Sequence, residues 1–138
     1  HICYYFIKEK MLFTGDTLFS LGCGRIFEGT YEQMFRSLNL LKSFDLDTKI
    51  YCGHEYTLKN SSFCLKYDNE NLKLKEKIKL INEKANKDIP TIPTTIQEEL
   101  ETNIFFRSDQ KIIQKNLKLN NSNALEVFSK LRELKDNY

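Results

Sequence analysis

The run MLFTGDTLFSLGCGRIFEGT, residues 11–30, carries the strongest structural signal in the chain. Its apolar start ends at Gly15 and Asp16, and a glycine-rich turn that leads to Arg25 follows. A carboxylate at the end of a buried strand is costly unless it is paired, hydrogen-bonded or bound to a metal. An aspartate that caps the following turn through backbone N–H groups fits the local sequence equally well. The run therefore predicts a strand that ends at Asp16, with either a functional or a structural acid.

The neighbouring segments predict a mixed strand and helix arrangement. Residues 2–7 and 11–16 are β-branched and aromatic runs on either side of a short polar stretch, which predicts a β-hairpin with largely buried strands. Thr30 and Gln33 have the spacing of a capping box, so a helix should begin after Thr30. A short strand is predicted over 49–54. Strand, helix and strand in this order are typical of α/β layers.

The chain beyond Thr57 is expected to be all-helical, because apolar residues there recur at helical spacing and strand signals vanish. Thr94 with Gln97 predicts one capping box in this half. Asn123 with Glu126 predicts another, at the start of the last helix.

The composition is that of a soluble globular protein with 138 residues, 41% of them hydrophobic and 29% charged. The net charge of +2 does not indicate a nucleic-acid partner, and no stretch has the length of a membrane helix or the pattern of a signal peptide. We therefore expect no nucleic-acid or membrane partner and a cytoplasmic location. The four cysteines lack metal or disulfide spacing, so we expect reduced, mostly structural thiols.

Two strand ends could supply metal ligands. His54 ends the strand over 49–54 after a glycine, as Asp16 ends the strand over 11–16. Histidine and aspartate are both suited to Zn²⁺ or Fe²⁺, although a lone histidine is more often structural. Two such residues at equivalent strand ends favour ligation more than either does alone.

Four further residues could bind an anionic ligand. Arg25 is held near the strand end by the glycine turn, where it could bind an anion or form a structural salt bridge. Tyr56 could present its hydroxyl to the same pocket or pack in the core. Arg132 and Lys135 lie three residues apart and could converge on a carboxylate or form a solvated helix face.

Four segments together resemble glyoxalase II, the hydroxyacylglutathione hydrolase of the metallo-β-lactamase superfamily. They are LFTGDTLFSLGCGRIFEGT, IYCGHEYTLKN, PTIPTTIQEE and LRELKDNY. The resemblance implies an α+β fold, in which residues 1–57 are the C-terminal part of an αββα sandwich. Residues 58–138 would then be an all-helical domain that binds the glutathione substrate.

The resemblance implies that Asp16 bridges two divalent metal ions and that His54 is a ligand of the second ion, which makes both residues catalytic. Zinc is the first expectation, with iron or manganese as alternatives. A hydroxide held between the metals would attack the thioester carbonyl of S-D-lactoylglutathione and release D-lactate and glutathione. This reaction would belong to methylglyoxal detoxification.

The resemblance also implies the substrate contacts. Arg25 would contact glutathione, Tyr56 would hydrogen-bond the same peptide, and Arg132 with Lys135 would hold its glycine carboxylate. Phe27 stands where many family members have a tyrosine, so one hydroxyl contact is lost. We expect this departure to weaken substrate binding more than chemistry.

The family's first metal motif, T-H-x-H-x-D-H, is absent from the sequence, and His1 is expected to be structural. Asp16 and His54 alone cannot complete two metal sites, because each ion needs roughly four to six ligands. We therefore expect an inactive fragment with an incomplete metal site, unpaired strand edges and an uncovered apolar face. A missing N-terminal half would be its partner.

Two other functions compete with this one. The chain could be a non-catalytic remnant that at most binds glutathione or a complementary N-terminal half. A related persulfide dioxygenase with one iron shares part of the motif set. The E-G-T and G-H-E-Y strings and the long helical tail argue against the dioxygenase.

Overall fold

The protein is a mixed α and β structure in the computed structural model, which describes residues 1–138. It contains six helices and six short strands in a single chain. Their order is β1 (Tyr4–Phe6), β2 (Met11–Gly15), β3 (Leu18–Phe19), β4 (Gly22–Cys23), α1 (Tyr31–Lys42), β5 (Lys49–Cys52), α2 (Thr57–Tyr67), α3 (Leu72–Ala85), β6 (Thr94–Thr95), α4 (Ile96–Thr102), α5 (Lys111–Asn116) and α6 (Ala124–Asp136). None of the helices is both long enough and apolar enough to cross a membrane.

The main sheet has four strands in the order β1-β2-β5-β6. Strands β1 and β2 form the predicted antiparallel hairpin, and β5 lies parallel to β2 after the crossover through α1. Strands β3 and β4 form a separate two-stranded sheet.

The prediction of an all-helical second half is wrong at one point. Strand β6 lies beyond residue 57 and pairs antiparallel with β5, so that Thr94 faces Ile50. Two consecutive β-branched threonines favour extended backbone, and the free edge of β5 offers unpaired hydrogen-bonding groups. The sheet therefore takes its last strand from the helical half.

Capping boxes fix the starts of two helices where the sequence predicts them. Thr30 Oγ1 accepts the N–H of Gln33, and the Gln33 side chain accepts the N–H of Thr30, at the start of α1. Asn123 and Glu126 form the same reciprocal pair at the start of α6. Both predictions are confirmed.

The third predicted capping box is wrong by one residue. Thr95 and Glu98, not Thr94 and Gln97, form the box that begins α4. Thr94 is buried in β6, where its hydroxyl bonds the Glu98 and Glu99 carboxylates. The adjacent threonines have the same local signal, and the strand pairing decides between them.

One hydrophobic core connects the two halves of the chain. A continuous cluster of 19 buried residues includes Leu12 and Ile50 of the sheet, Leu38 of α1, and Phe105 and Phe128 of the helical half. Residues from both sides of the predicted boundary between 1–57 and 58–138 thus pack in the same core. The division into two domains stays a prediction.

The other face of the sheet is an exposed aromatic surface. Tyr4 and Phe6 of β1 are 59% and 49% exposed, so the prediction of a largely buried first strand is wrong. Phe13 stacks on Tyr51 with ring centroids 5.1 Å apart, and Phe6 meets Phe13 edge to face at 5.8 Å. We call Tyr4, Phe6, Phe13 and Tyr51 the aromatic face. No helix or strand of the chain covers the aromatic face, which agrees with the uncovered apolar face expected from the sequence.

Truncation of a core aromatic residue should unfold both halves together. Phe128 is fully buried and contacts Phe35 and Phe105. We expect Phe128→Ala to lower the free energy of unfolding by about 3 to 5 kcal/mol in urea titrations followed by circular dichroism. Leu40→Ala, at an exposed position of α1, should change it by about 0.5 kcal/mol or less. Two separate transitions in the Phe128→Ala variant would contradict a shared core.

Candidate functional site

The parallel pairing of β2 with β5 brings Asp16 and His54 together. Gly15 and Cys52 are partners at the carboxyl ends of these strands, and Gly53 donates its N–H to the Gly15 carbonyl at 2.8 Å. Asp16 Oδ1 lies 2.8 Å from His54 Nδ1. The Asp16 carboxylate thus binds the His54 side chain and no backbone N–H of the following turn, so it does not cap that turn. The two strand ends singled out in the sequence therefore meet at one corner of the sheet.

A β-bulge and close backbone approach shape this corner. The register of β2 shifts between Phe13 and Gly15, and a bulge of this kind bends a strand and redirects the side chains that follow. A Cβ atom at Gly53 would lie 2.7 Å from Asp16 Oδ1, and one at Gly24 would lie 1.9 Å from the Asp16 carbonyl oxygen. Only glycine allows the turns to approach Asp16 this closely.

Asp16 and His54 are chemically suitable ligands for a divalent metal, but two ligands are too few for a complete site. A carboxylate and an imidazole are suitable donors for Zn²⁺, Fe²⁺ or Mn²⁺, and both side chains are about half exposed and reachable. The structure contains no group of three or more His, Cys, Asp or Glu side chains that could hold a metal ion. These two donors alone do not complete a metal site, because a bound ion needs about four to six ligands.

A pocket of about 880 Å³ opens beside this pair. Its lining comes from the strand end, the glycine turn, the start of α1 and the segment after β5: His1, Asp16, Thr17, Phe19, Gly24, Arg25, Ile26, Phe27, Glu28, Thr30, Gln33, Met34, Ser37 and Tyr56. Sequence reasoning missed the contribution of α1 through Gln33, Met34 and Ser37, although the capping box placed that helix directly after the glycine turn. Phe27 is 86% exposed at this pocket.

Tyr56 lies in the pocket against the metal-ligand candidate. Its ring stacks on His54 at 5.1 Å with an interplanar angle of 3°, and Phe19 packs edge-on against both rings. Tyr56 is about half exposed, so core packing does not describe it. The stack restricts the orientation of the imidazole.

Arg25 lines the pocket and also forms a salt bridge. Its Nε donates to Asp136 Oδ1 at 3.1 Å, and its Nη2 donates to the Asp136 carbonyl at 2.9 Å. The Arg25 side chain is 54% exposed, and an exposed ion pair contributes little stability. The guanidinium can therefore exchange Asp136 for a ligand at small cost.

Arg132 does not reach the pocket. It is 4% exposed, donates from Nη1 to the Cys23 carbonyl at 2.8 Å and from Nη2 to Asp136 Oδ1 at 2.9 Å, and lies over the Phe105 ring. The solvated helix face considered for it is wrong, because the side chain is buried. The contact with a substrate carboxylate stays a prediction. Its guanidinium instead holds Asp136, the same carboxylate that Arg25 contacts.

Lys135 occupies an apolar environment on the last helix. Its Nζ is buried without a hydrogen-bond partner and lies 4.9 Å from the centre of the Phe63 ring and 5.1 Å from that of Tyr138. Burial lowers the pKa of this ammonium to about 8. Lys135 is not part of the pocket lining, and it lacks the partner that a buried charge needs.

Residues 55–138 match the family described as "Hydroxyacylglutathione hydrolase C-terminus". Proteins named hydroxyacylglutathione hydrolase are similar to the whole chain. The relative from Pelagibacter ubique (strain HTCC1062) is 58% identical over 138 residues, which are 100% of this chain and 52% of the relative. That from Bartonella quintana (strain Toulouse) is 44% identical over 99% of this chain and 54% of the relative. That from Chelativorans sp. (strain BNC1) is 46% identical over 99% and 53%. The chain spans about half the length of the curated relatives it matches.

The buried ammonium should make stability depend on pH. Because the folded-state pKa of Lys135 lies below its unfolded value, the unfolded chain binds more protons between about pH 8 and 10.5. The cost of burying the charge is present below pH 8 and is relieved as the pH rises. We expect Lys135→Met to raise the free energy of unfolding by about 1 kcal/mol at pH 7, after a reduction for solvent screening, and less towards pH 10.

Urea titrations at pH 7, 8, 9 and 10 check this through the difference between variant and wild type. Burial raises the pKa of Cys23 to about 11 and that of Cys64 to about 12, so both thiols also contribute above pH 9, but they contribute to both proteins. Lys130→Met, at an exposed position of the same helix, should follow the wild-type curve. If the free energy of unfolding of Lys135→Met changed with pH in parallel with that of the wild type, Lys135 would not be a buried charge.

Proposed function

The chain belongs to the hydroxyacylglutathione hydrolase family, and we propose that it forms the C-terminal part of an enzyme that hydrolyses S-(2-hydroxyacyl)glutathione thioesters. S-D-lactoylglutathione is the proposed substrate, with D-lactate and glutathione as products and methylglyoxal detoxification as the role. The observation that carries this proposal is the contact of Asp16 with His54 beside a pocket of about 880 Å³ that Asp16 lines.

Asp16 and His54 are the proposed metal ligands of this chain. Two divalent ions, zinc first and iron or manganese as alternatives, would supply Lewis-acid activation of the thioester carbonyl and of water at neutral pH. The close approach of Gly53 and Gly24 to Asp16 fixes the carboxylate where the strand ends. The stack of Tyr56 on the imidazole holds His54 in its orientation.

The glutathione part of the substrate is the proposed ligand of the pocket. Arg25 would release Asp136 and bind a carboxylate of the peptide, and Tyr56 would donate a hydrogen bond to it. We also propose that Lys135, which lies outside the pocket lining, binds the glycine carboxylate, because its unpartnered Nζ would gain a counter-ion. For Arg132 the proposed contribution is indirect, through its hold on Asp136.

A second candidate function is binding without catalysis. Two features favour it: this chain brings only two metal donors together, and the aromatic face is uncovered. Contiguous exposed apolar surface of this kind marks an interaction site. The chain would then bind glutathione, or pair with a separate N-terminal half, without turning over a thioester by itself.

Reconstitution with the part of a relative that this chain does not match distinguishes the two candidates. We expect the chain with Zn²⁺ to hydrolyse S-D-lactoylglutathione slower than a full-length relative by on the order of a thousandfold, because its metal site is incomplete. Adding the part of the Pelagibacter ubique relative that this chain does not match should restore turnover. Asp16→Asn should abolish the restored activity, and Asp45→Asn, at an exposed carboxylate bound to Lys10, should not.

Turnover of the chain alone at the rate of a full-length relative would show that the metal site is complete. A complex that forms but remains inactive would favour the second candidate. Phe13→Ser, in the middle of the aromatic face, should weaken the complex in either case.

Glutathione binding can be tested on the chain by itself. Isothermal titration calorimetry should show Arg25→Gln weakening the affinity for glutathione by about tenfold, because one charge-assisted contact is lost. Arg36→Gln, an exposed arginine of α1 outside the pocket lining, is the matched control and should bind as wild type does. Equal affinities for the two variants would remove Arg25 from the binding site.

A further inference from the structure

The turn between β3 and β4 is buried although it is a loop. Ser20 and Leu21 are 1% and 0% exposed, and Leu21 adopts a positive φ of 59°. Backbone N–H and C=O groups at such a turn cannot reach water, so each needs a partner within the protein. The turn's own hydroxyl, Ser20 Oγ, is buried and makes no hydrogen bond, so it is not that partner.

Four buried side chains from the helical half supply these partners. We call them the turn clamp: Asn60, Cys64, Glu99 and Asn103. Asn60 and Cys64 belong to α2, Glu99 lies in the middle of α4, and Asn103 directly follows α4. Asn60 and Glu99 lie in segments that carry the family resemblance, but the role of all four residues follows only from the tertiary contacts.

Each member of the turn clamp binds a backbone group of the turn. Asn60 Nδ2 donates to the Ser20 carbonyl at 3.1 Å, and Cys64 Sγ donates to the Leu21 carbonyl at 3.2 Å. The Leu21 N–H donates to a Glu99 oxygen at 2.8 Å.

Asn103 completes the clamp, with Nδ2 3.1 Å from the Gly22 carbonyl. The turn is thus held from several directions.

Glu99 is the centre of the clamp. One oxygen accepts hydrogen bonds from the Leu21 N–H and from Asn103 Nδ2, and the other accepts from Lys77 Nζ and Thr94 Oγ1, both at 2.7 Å. The carboxylate is fully buried with Lys77 as its counter-ion. A neutral side chain of the same shape would remove the nearest counter-ion of that ammonium and leave Glu98, 3.9 Å away, as its acidic neighbour.

Residues directly before and shortly after the clamped turn line the pocket. Phe19 precedes it and packs against Tyr56 with ring centroids 5.2 Å apart. Gly24 and Arg25 follow it, and Gly24 donates its N–H to the Thr17 carbonyl. A shift of the turn therefore shifts residues that face the ligand.

We propose that Glu99 is a positioning residue for the pocket: from the helical half it fixes the Ser20 to Gly22 turn and, through it, the placement of Phe19 and Arg25. The choice of glutathione as ligand rests on the proposed function, whereas the placement of the pocket wall does not. Glu99 does not line the pocket and touches no ligand in this role.

The test compares Glu99→Gln with a control that loses stability elsewhere. Ile113→Ala truncates a fully buried residue of α5 and leaves the turn clamp intact. Both proteins are studied at a temperature below both unfolding midpoints. We expect Glu99→Gln to shift the backbone amide resonances of Gly24 and Arg25 and to weaken glutathione binding by about tenfold, with neither change in Ile113→Ala.

Unchanged Gly24 and Arg25 resonances in Glu99→Gln would overturn the proposal, because a merely structural carboxylate would change stability alone. If the wild-type chain does not bind glutathione, the proposed function fails and the resonances still decide whether Glu99 positions the wall. If Glu99→Gln does not fold, Asn60→Ala removes one hydrogen bond of the clamp and should shift the same resonances to a smaller extent.

Discussion

The parallel pairing of β2 with β5 is the constraint on which the rest of the structure depends. It aligns the carboxyl ends of two strands that are far apart in sequence, and the bond from the Gly53 N–H to the Gly15 carbonyl fixes their relative height. Asp16 and His54 meet because of this alignment. The crossover through α1 then sets the wall of the pocket opposite them. If β2 and β5 were antiparallel, as in a hairpin, their carboxyl ends would lie at opposite ends of the strands.

Sequence patterns predicted the features whose causes are local. The first hairpin, the caps of α1 and α6, and the two strand ends follow from turn residues, capping spacing and short apolar runs. Strand β6 and the displaced cap at Thr95 were not predictable, because both depend on the free edge of β5. Local signals at adjacent threonines are equal, and only the tertiary partner separates them.

The charged residues show the same division between local and distant causes. Arg132 and Lys135 have the spacing of a solvated helix face, yet the first binds the backbone of Cys23 and the second lies over the Phe63 ring. Helical spacing gives the direction of a side chain but not what packs against it. The hydrogen bonds that connect Arg132 to Asp136 and Asp136 to Arg25 could therefore not be predicted from the sequence.

Stability and chemistry are supported by different parts of the molecule. Asp16 and His54 are both about half exposed, so their contact contributes little to folding. The fold depends instead on the shared core and on the buried turn clamp around Glu99, which connects the helices to the glycine turn. The contact of Asp16 with His54 can therefore rearrange without loss of the fold. The helical half thus contributes to the shape of the pocket through the turn clamp, although its residues lie far from the strand ends in sequence.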